Sequence, residues 1–377
     1  MIEGSLSSEF GDLIAYEFFK NLALSALGIF IPIILYDASG SLYVAGFYLL
    51  IKAITSSLSS VTIMNFLAGK GFEKGLYLSY VFLIPSILML RFLDYSLGLV
   101  IGVAILYSLG KTLHSEAKKL EFTEDTEKSE RNKRSADITS IPNIGRFLGP
   151  LVAGSLSAAF GFNALLTFAV GMILLSLVPL TRLEKAVDKS SIKLKEIFKK
   201  EYRKYIPVLT ARGIQGIAAV ALYGLFTYEF VGGSFGSGFV RSLDTLGFVL
   251  VAYLSAWITD RFSRKKVVII GSTAAAVTYG ARAMVVTSFE GFIVAFLGGV
   301  AFKLYHIPIF SQFADEAEST SETEFFALSR LCTSIGMIIA SLIFLTMLGS
   351  GQKTAFQTVF LLAGLATLSI PIMEYRI

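Results

Sequence analysis

The 377 residues are 54% hydrophobic and only 16% charged, with a mean hydropathy of +0.68. Soluble domains carry about 25% charged residues, so this chain lacks the polar residues to coat a water-facing surface. The net charge of +5 does not point to nucleic acid, because the basic residues sit in short loops between apolar runs.

Twelve spans are expected, near 12–35, 42–66, 75–93, 96–115, 140–160, 163–180, 206–231, 238–259, 266–286, 290–312, 327–348 and 354–373. Runs of about 20 apolar residues cross a hydrocarbon core as helices and are too uniform for barrel strands. The fold class is therefore all-α and polytopic. Residues 1–11 carry Glu3 and Glu9 but no basic residue, unlike a cleaved signal, so the first run is expected to remain as a span. Lys70 and Lys74, the 118–134 and 182–204 stretches, and Arg261–Lys266 fall in alternate loops. Both termini are thus expected in the cytoplasm. The charged 114–139 stretch is expected to extend the fourth helix. Within 181–205, Ile192, Leu194, Ile197, Phe198 and Tyr202 alternate with Lys193, Lys195, Lys199, Lys200 and Arg203. That pattern suits a basic amphipathic helix on the inner leaflet, or a solvated linker. The expected division is a six-helix half over 1–180, a linker over 181–205 and a second six-helix half over 206–377.

The second half echoes the first at an offset of about 191–192 residues. Lys20 maps onto Arg212, and Lys111-Thr-Leu-His114 onto Lys303-Leu-Tyr-His306. Gly145-x-x-x-Gly149-Pro150 maps onto Gly336-x-x-x-Ala340-Ser341, and Asn65–Lys70 onto Ala256–Arg261. Six spans repeated with both ends inside give two parallel halves, an arrangement that places a substrate site between them near the midplane. With one cysteine, Cys332, and two histidines, no disulfide or His/Cys metal cage is expected.

Two motifs carry a family resemblance. The loop after span 8 reads Ala256-Trp-Ile-Thr-Asp260-Arg261-Phe-Ser263-Arg264-Lys265-Lys266, and span 5 reads Gly145-Arg-Phe-Leu-Gly149-Pro150-Leu-Val-Ala153-Gly154. The first resembles the G-x-x-x-D-R-x-G-R-R/K signature of the major facilitator superfamily, and the second its antiporter motif G-x-x-x-G-P-x-x-G-G. The resemblance covers essentially the whole chain. It implies a secondary transporter working by alternating access, in the plasma membrane, with a small-molecule substrate and no cofactor or enzymatic activity. A monomer is expected. The resemblance further implies that Asp260 locks the cytoplasmic gate near Asn143 and Arg146, with Arg261 and Arg264 in the same basic turn. Gly145, Gly149 and Gly154 permit close helix approach, and Pro150 removes one helical hydrogen bond. The first-half loop departs from the signature, with Gly69 in the acid's place and Glu73 in the arginine's.

Ionisable side chains within spans are costly and mark sites. The resemblance places spans 1, 4, 7 and 10 around a central cavity. Lys20, Arg212, Lys111 and Lys303, with Glu17 beside Lys20, are then expected to bind substrate, most simply a small organic or phosphorylated anion. His114 and His306 are candidates for proton coupling. Internal pairing of these cations with Glu17, Glu116 or Asp315 is the competing arrangement. Lys52 and Asp244 occupy equivalent repeat positions. They are expected either to pair across the halves or, preferably, to leave Asp244 with Arg241. Glu229 and Arg282 are expected near the outer interface. The alternative function is efflux of amphipathic molecules, suggested by the span 5 motif and the 32 phenylalanines.

Overall fold

The computed structural model describes residues 2–92, 96–124, 131–182, 200–319 and 322–375. With no water in a bilayer to satisfy the backbone, each span must close its own hydrogen bonds, and among the described residues every regular element is helical. The first half contains α1 (Ile2–Ser39), α2 (Leu42–Lys70), α3 (Phe72–Met89), α4 (Leu97–Glu124), α5 (Arg131–Phe160) and α6 (Phe162–Leu180). Helix α7 is one unbroken run. It joins Ile206–Ile217, a π-helical turn Ala218–Leu222, Tyr223–Thr227 and a second π-helical turn Tyr228–Gly232. Then follow α8 (Gly233–Arg261), α9 (Arg264–Arg282), α10 (Ser288–Ser319), α11 (Glu322–Met347) and α12 (Gln352–Tyr375). Gly71 and Gly161, with φ of 88° and 78°, end α2 and α5 in a conformation that side-chain-bearing residues resist.

The helices follow the spans read from the sequence and extend past them at the inner ends. α4 continues to Glu124, α5 already begins at Arg131, and α10 runs to Ser319. Beyond the hydrocarbon core a helix needs no apolar run, so hydropathy does not register these extensions. Of the amphipathic stretch expected within 181–205, residues 183–199 lie outside the described residues. Lys200–Tyr205 forms a 3-10 turn whose Tyr202 and Tyr205 are buried.

Packing repeats as the sequence does. α1 packs on α5 and α6, α2 on α4, and α3 on α4; α7 packs on α11 and α12, α8 on α10, and α9 on α10. Adding six to each index of the first set gives the second. Two seams join the sets, α2 with α11 and α5 with α8, and they exchange under the same operation. Gly154 and Gly238 make the α5–α8 seam close. A Cβ on Gly238 would stand 2.3 Å from the Pro150 carbonyl oxygen and 2.9 Å from the Gly154 Cα. Apolar side chains such as Leu58, Val277 and Leu365 are exposed on the outside. That suits a lipid-facing surface, where the hydrophobic effect does not penalise them.

Candidate functional site: a basic space between the halves

Six cations from both halves converge where the seams meet. Lys111 of α4 lies within electrostatic reach of Lys52, Arg146, Arg241 and Arg330. Lys52 of α2 is likewise within reach of Arg330, and Lys303 of α10 within reach of Arg146. All sit well inside their helices. Lys52, Lys111 and Lys303 are nevertheless only half-buried, and Arg146 is exposed. They come from both halves and lie within electrostatic reach of one another beside the α2–α11 and α5–α8 seams. Each lysine runs beside an aromatic ring: Lys52 by Tyr48 (6.0 Å), Lys111 by Tyr107 (5.8 Å) and Lys303 over Phe248 (3.9 Å). Cation–π contact holds the stem while leaving the charge without a counter-ion.

Two of the six have acidic partners. Arg330 reaches across the halves, 3.5 Å from the Glu116 carboxylate, and donates to Thr112 Oγ1 at 2.9 Å. Arg241 pairs with Asp244, which also accepts from Arg282 at 3.1 Å. The other four, Lys52, Lys111, Arg146 and Lys303, form no ion pair among the described residues. Arg146 donates Nε to Asn21 Oδ1 at 3.0 Å; Asn21 donates to Glu17 at 2.8 Å, and Glu17 is ion-paired to Lys118.

A hydroxyl seam adjoins these lysines. Ser334 Oγ lies 3.0 Å from Ser56 Oγ, which lies 3.4 Å from Thr112 Oγ1. Ser56 is one turn from Lys52, and Thr112 is next to Lys111. At the outer end, Tyr36 donates to Glu229 at 2.5 Å and Tyr228 donates to Asp37. These contacts close α1 against α7, where a Cβ on Gly224 would stand 2.5 Å from Ile29.

The structure rearranges the residues expected at the site. Lys111 and Lys303 face the central space. Lys20 does not: it is fully buried in the first half, 3.2 Å over the Tyr80 ring and 3.4 Å from Ser79 Oγ. One helical turn carries Glu17 to Lys118 rather than to Lys20. Arg212 donates to His306 Nε2 at 2.8 Å. An arginine can only donate, so that nitrogen accepts and the imidazole in this contact is neutral. His114 is buried with Nδ1 2.9 Å from Tyr16 Oη. Arg282 is 2% exposed and held by Asp244, so it is not interfacial. The local Arg241–Asp244 pair is the one formed, and Lys52 is left without an acid.

In the span 5 motif, Cβ atoms on Gly145 and Gly149 would stand 2.7 Å and 2.3 Å from the Phe18 and Leu22 carbonyl oxygens. These glycines seat α5 on α1, while Gly154 seats it on α8. Helix α5 runs unbroken through Pro150. Asn143 is buried at the inner part of α5, and Arg261 and Arg264 are exposed at the α8–α9 turn. The side chains of Asp260 and Asp315 lie outside the described residues.

Sequence reading missed Arg330 and did not place Lys52 or Arg146 beside the substrate. Arg330 and Lys52 carried the signal already used for Lys111, an ionisable side chain within a span.

Two bundles of six helices related by the repeat meet along the α2–α11 and α5–α8 seams. The sequence matches no family model and no curated protein. Among solved structures, the chain is similar to a crystal structure of the nucleoside transporter NupG, a point mutant. The TM-score is 0.74 and the identity 12%, over 98% of this chain and 99% of that one. The chain thus shares the overall fold of that transporter over essentially its whole length.

Proposed function

We propose that the protein is a secondary active transporter that carries a small organic or phosphorylated anion by alternating access. One observation supports the substrate class: Lys52, Lys111, Arg146 and Lys303 lie within electrostatic reach of one another or of a neighbouring cation and form no ion pair among the described residues. An anion supplies the missing counter-charge, with Arg146 offering a planar fork and the lysines point charges. The halves contribute jointly, and the Ser56–Thr112–Ser334 seam begins within a turn of Lys52 and Lys111. Charge neutralisation there acts directly on the seam that must open and close. The chain would act as a monomer in the cell membrane. Asp260 remains the proposed inner gate acid opposite the start of α5.

A second reading is an uncharged nucleoside, favoured by the NupG likeness and by the rings of Tyr48, Tyr107 and Phe248 beside the lysines. A phosphorylated nucleoside satisfies both observations. Efflux of amphipathic molecules draws no support from the fold comparison. Purified protein titrated with inorganic phosphate, a nucleoside monophosphate and the parent nucleoside separates the readings. Bound ligand raises apparent stability by about 2.7 kcal/mol at a hundredfold excess over Kd. The anion reading predicts a shift with the phosphorylated ligands that Lys111→Gln removes. A shift with the nucleoside alone would replace it with the second reading.

A further inference from the structure

We infer that transport is an obligatory exchange, in which the central site crosses between faces readily only with an anion bound. The inference rests on the anion reading above. Alternating access requires an occluded intermediate in which the central space loses contact with water on both sides. In the structure the outer end is already closed by Tyr36–Glu229 and Tyr228–Asp37. Closing the inner end as well would strand Lys52, Lys111, Arg146 and Lys303 without counter-ions. Removing unpaired cations from water is strongly unfavourable, whereas a paired and hydrogen-bonded charge bears it.

The nearby acids among the described residues are already committed. Glu116 is held by Arg330, Asp244 lies between Arg241 and Arg282, and Glu17 is engaged by Lys118 and Asn21. Asn21 stands between Glu17 and Arg146, taking a hydrogen bond from one and giving one to the other. None of these carboxylates can swing in as a surrogate without leaving the cation it already pairs with. The empty carrier therefore meets a higher barrier than the loaded one in both directions. An anion delivered to one face is followed by return with an anion from that face.

The test uses the full chain in liposomes, with potassium and valinomycin clamping the membrane potential so that charge build-up does not limit flux. Uptake of labelled inorganic phosphate and of a labelled nucleoside monophosphate is measured into empty vesicles and into vesicles preloaded with the same unlabelled anion. Preloading is expected to accelerate uptake at least about tenfold, which corresponds to a barrier difference of about 1.4 kcal/mol. Lys303→Glu supplies a built-in counter-charge within reach of Arg146 and is expected to bring the preloaded-to-empty ratio toward one by speeding the empty return. Equal uptake into empty and preloaded vesicles, with anion-induced thermal stabilisation intact, would overturn exchange and leave the anion reading standing. Neither uptake nor stabilisation with any anion would remove the anion reading, and exchange with it.

Discussion

Arg330 of α11 contacts the first half alongside the Ser334–Ser56 bond, and replacing it gives a quantitative prediction. Its Nε lies 3.5 Å from Glu116, which is fully buried, and its Nη2 donates to Thr112 at 2.9 Å. At an effective dielectric of 20, a charge pair at 3.5 Å is worth about 5 kcal/mol of Coulomb energy. Breaking a buried pair by removing one partner costs about 3–5 kcal/mol, much of it from the stranded charge. Arg330→Gln is therefore expected to destabilise the protein by several kcal/mol on that scale. Arg330→Gln with Glu116→Gln should recover part of the loss, because the acid that Arg330 faces is then neutral as well. Thermal unfolding of purified protein gives the first readout. Cys332, the only cysteine in the chain and 2% exposed on the same helix, gives the second through its alkylation rate. Each 1.4 kcal/mol removed from local opening speeds labelling about tenfold. Unchanged melting and unchanged Cys332 labelling in Arg330→Gln would show that the pair holds nothing together.

Lys20→Met should melt at or above the parent temperature and keep its anion response, because Lys20 is sealed against Tyr80 and exchanging a buried charge for an apolar side chain of similar volume is often neutral or stabilising; loss of the response would return Lys20 to the substrate site. Asp244→Asn leaves Arg282 and Arg241 without their acid and should cost about 3–5 kcal/mol, read as a lowered melting temperature that Arg282→Gln partly restores. Gly238→Leu forces side-chain atoms against the Pro150 carbonyl and should cost about 1–3 kcal/mol or more; normal stability and transport would mean that the α5–α8 seam is not close-packed in the membrane. Tyr36→Phe with Tyr228→Phe removes two hydrogen bonds to carboxylates, each worth about 1.5–3 kcal/mol, and should raise the reactivity of a cysteine introduced at Gly28 toward an impermeant outside reagent.

The helices and the repeat in their packing were legible because hydrophobic length follows from the bilayer itself. The repeat also reached into packing. Gly145 seats α5 on α1, and its counterpart Gly336 seats α11 on α7, where an added Cβ would meet the Thr210 carbonyl oxygen at 2.0 Å. The site was legible only in part. A span reveals that a charge is buried but not which way it points. Lys20 and Lys111 look alike in sequence, yet the first turns into its own bundle toward Tyr80 and the second faces the seam. Pairing across the chain was less accessible still. Glu116 and Arg330 are 214 positions apart, and nothing local to either announces the other.

The anion reading, in which Lys52, Lys111, Arg146 and Lys303 form no ion pair among the described residues, is open to isothermal titration of inorganic phosphate and a nucleoside monophosphate into the parent protein and into Lys111→Gln with Lys303→Gln. Saturable binding to the parent is expected to weaken at least about tenfold in the double variant and to fall as salt rises. Equal affinity in both proteins, or tight binding of the parent nucleoside with no binding of either anion, would contradict it.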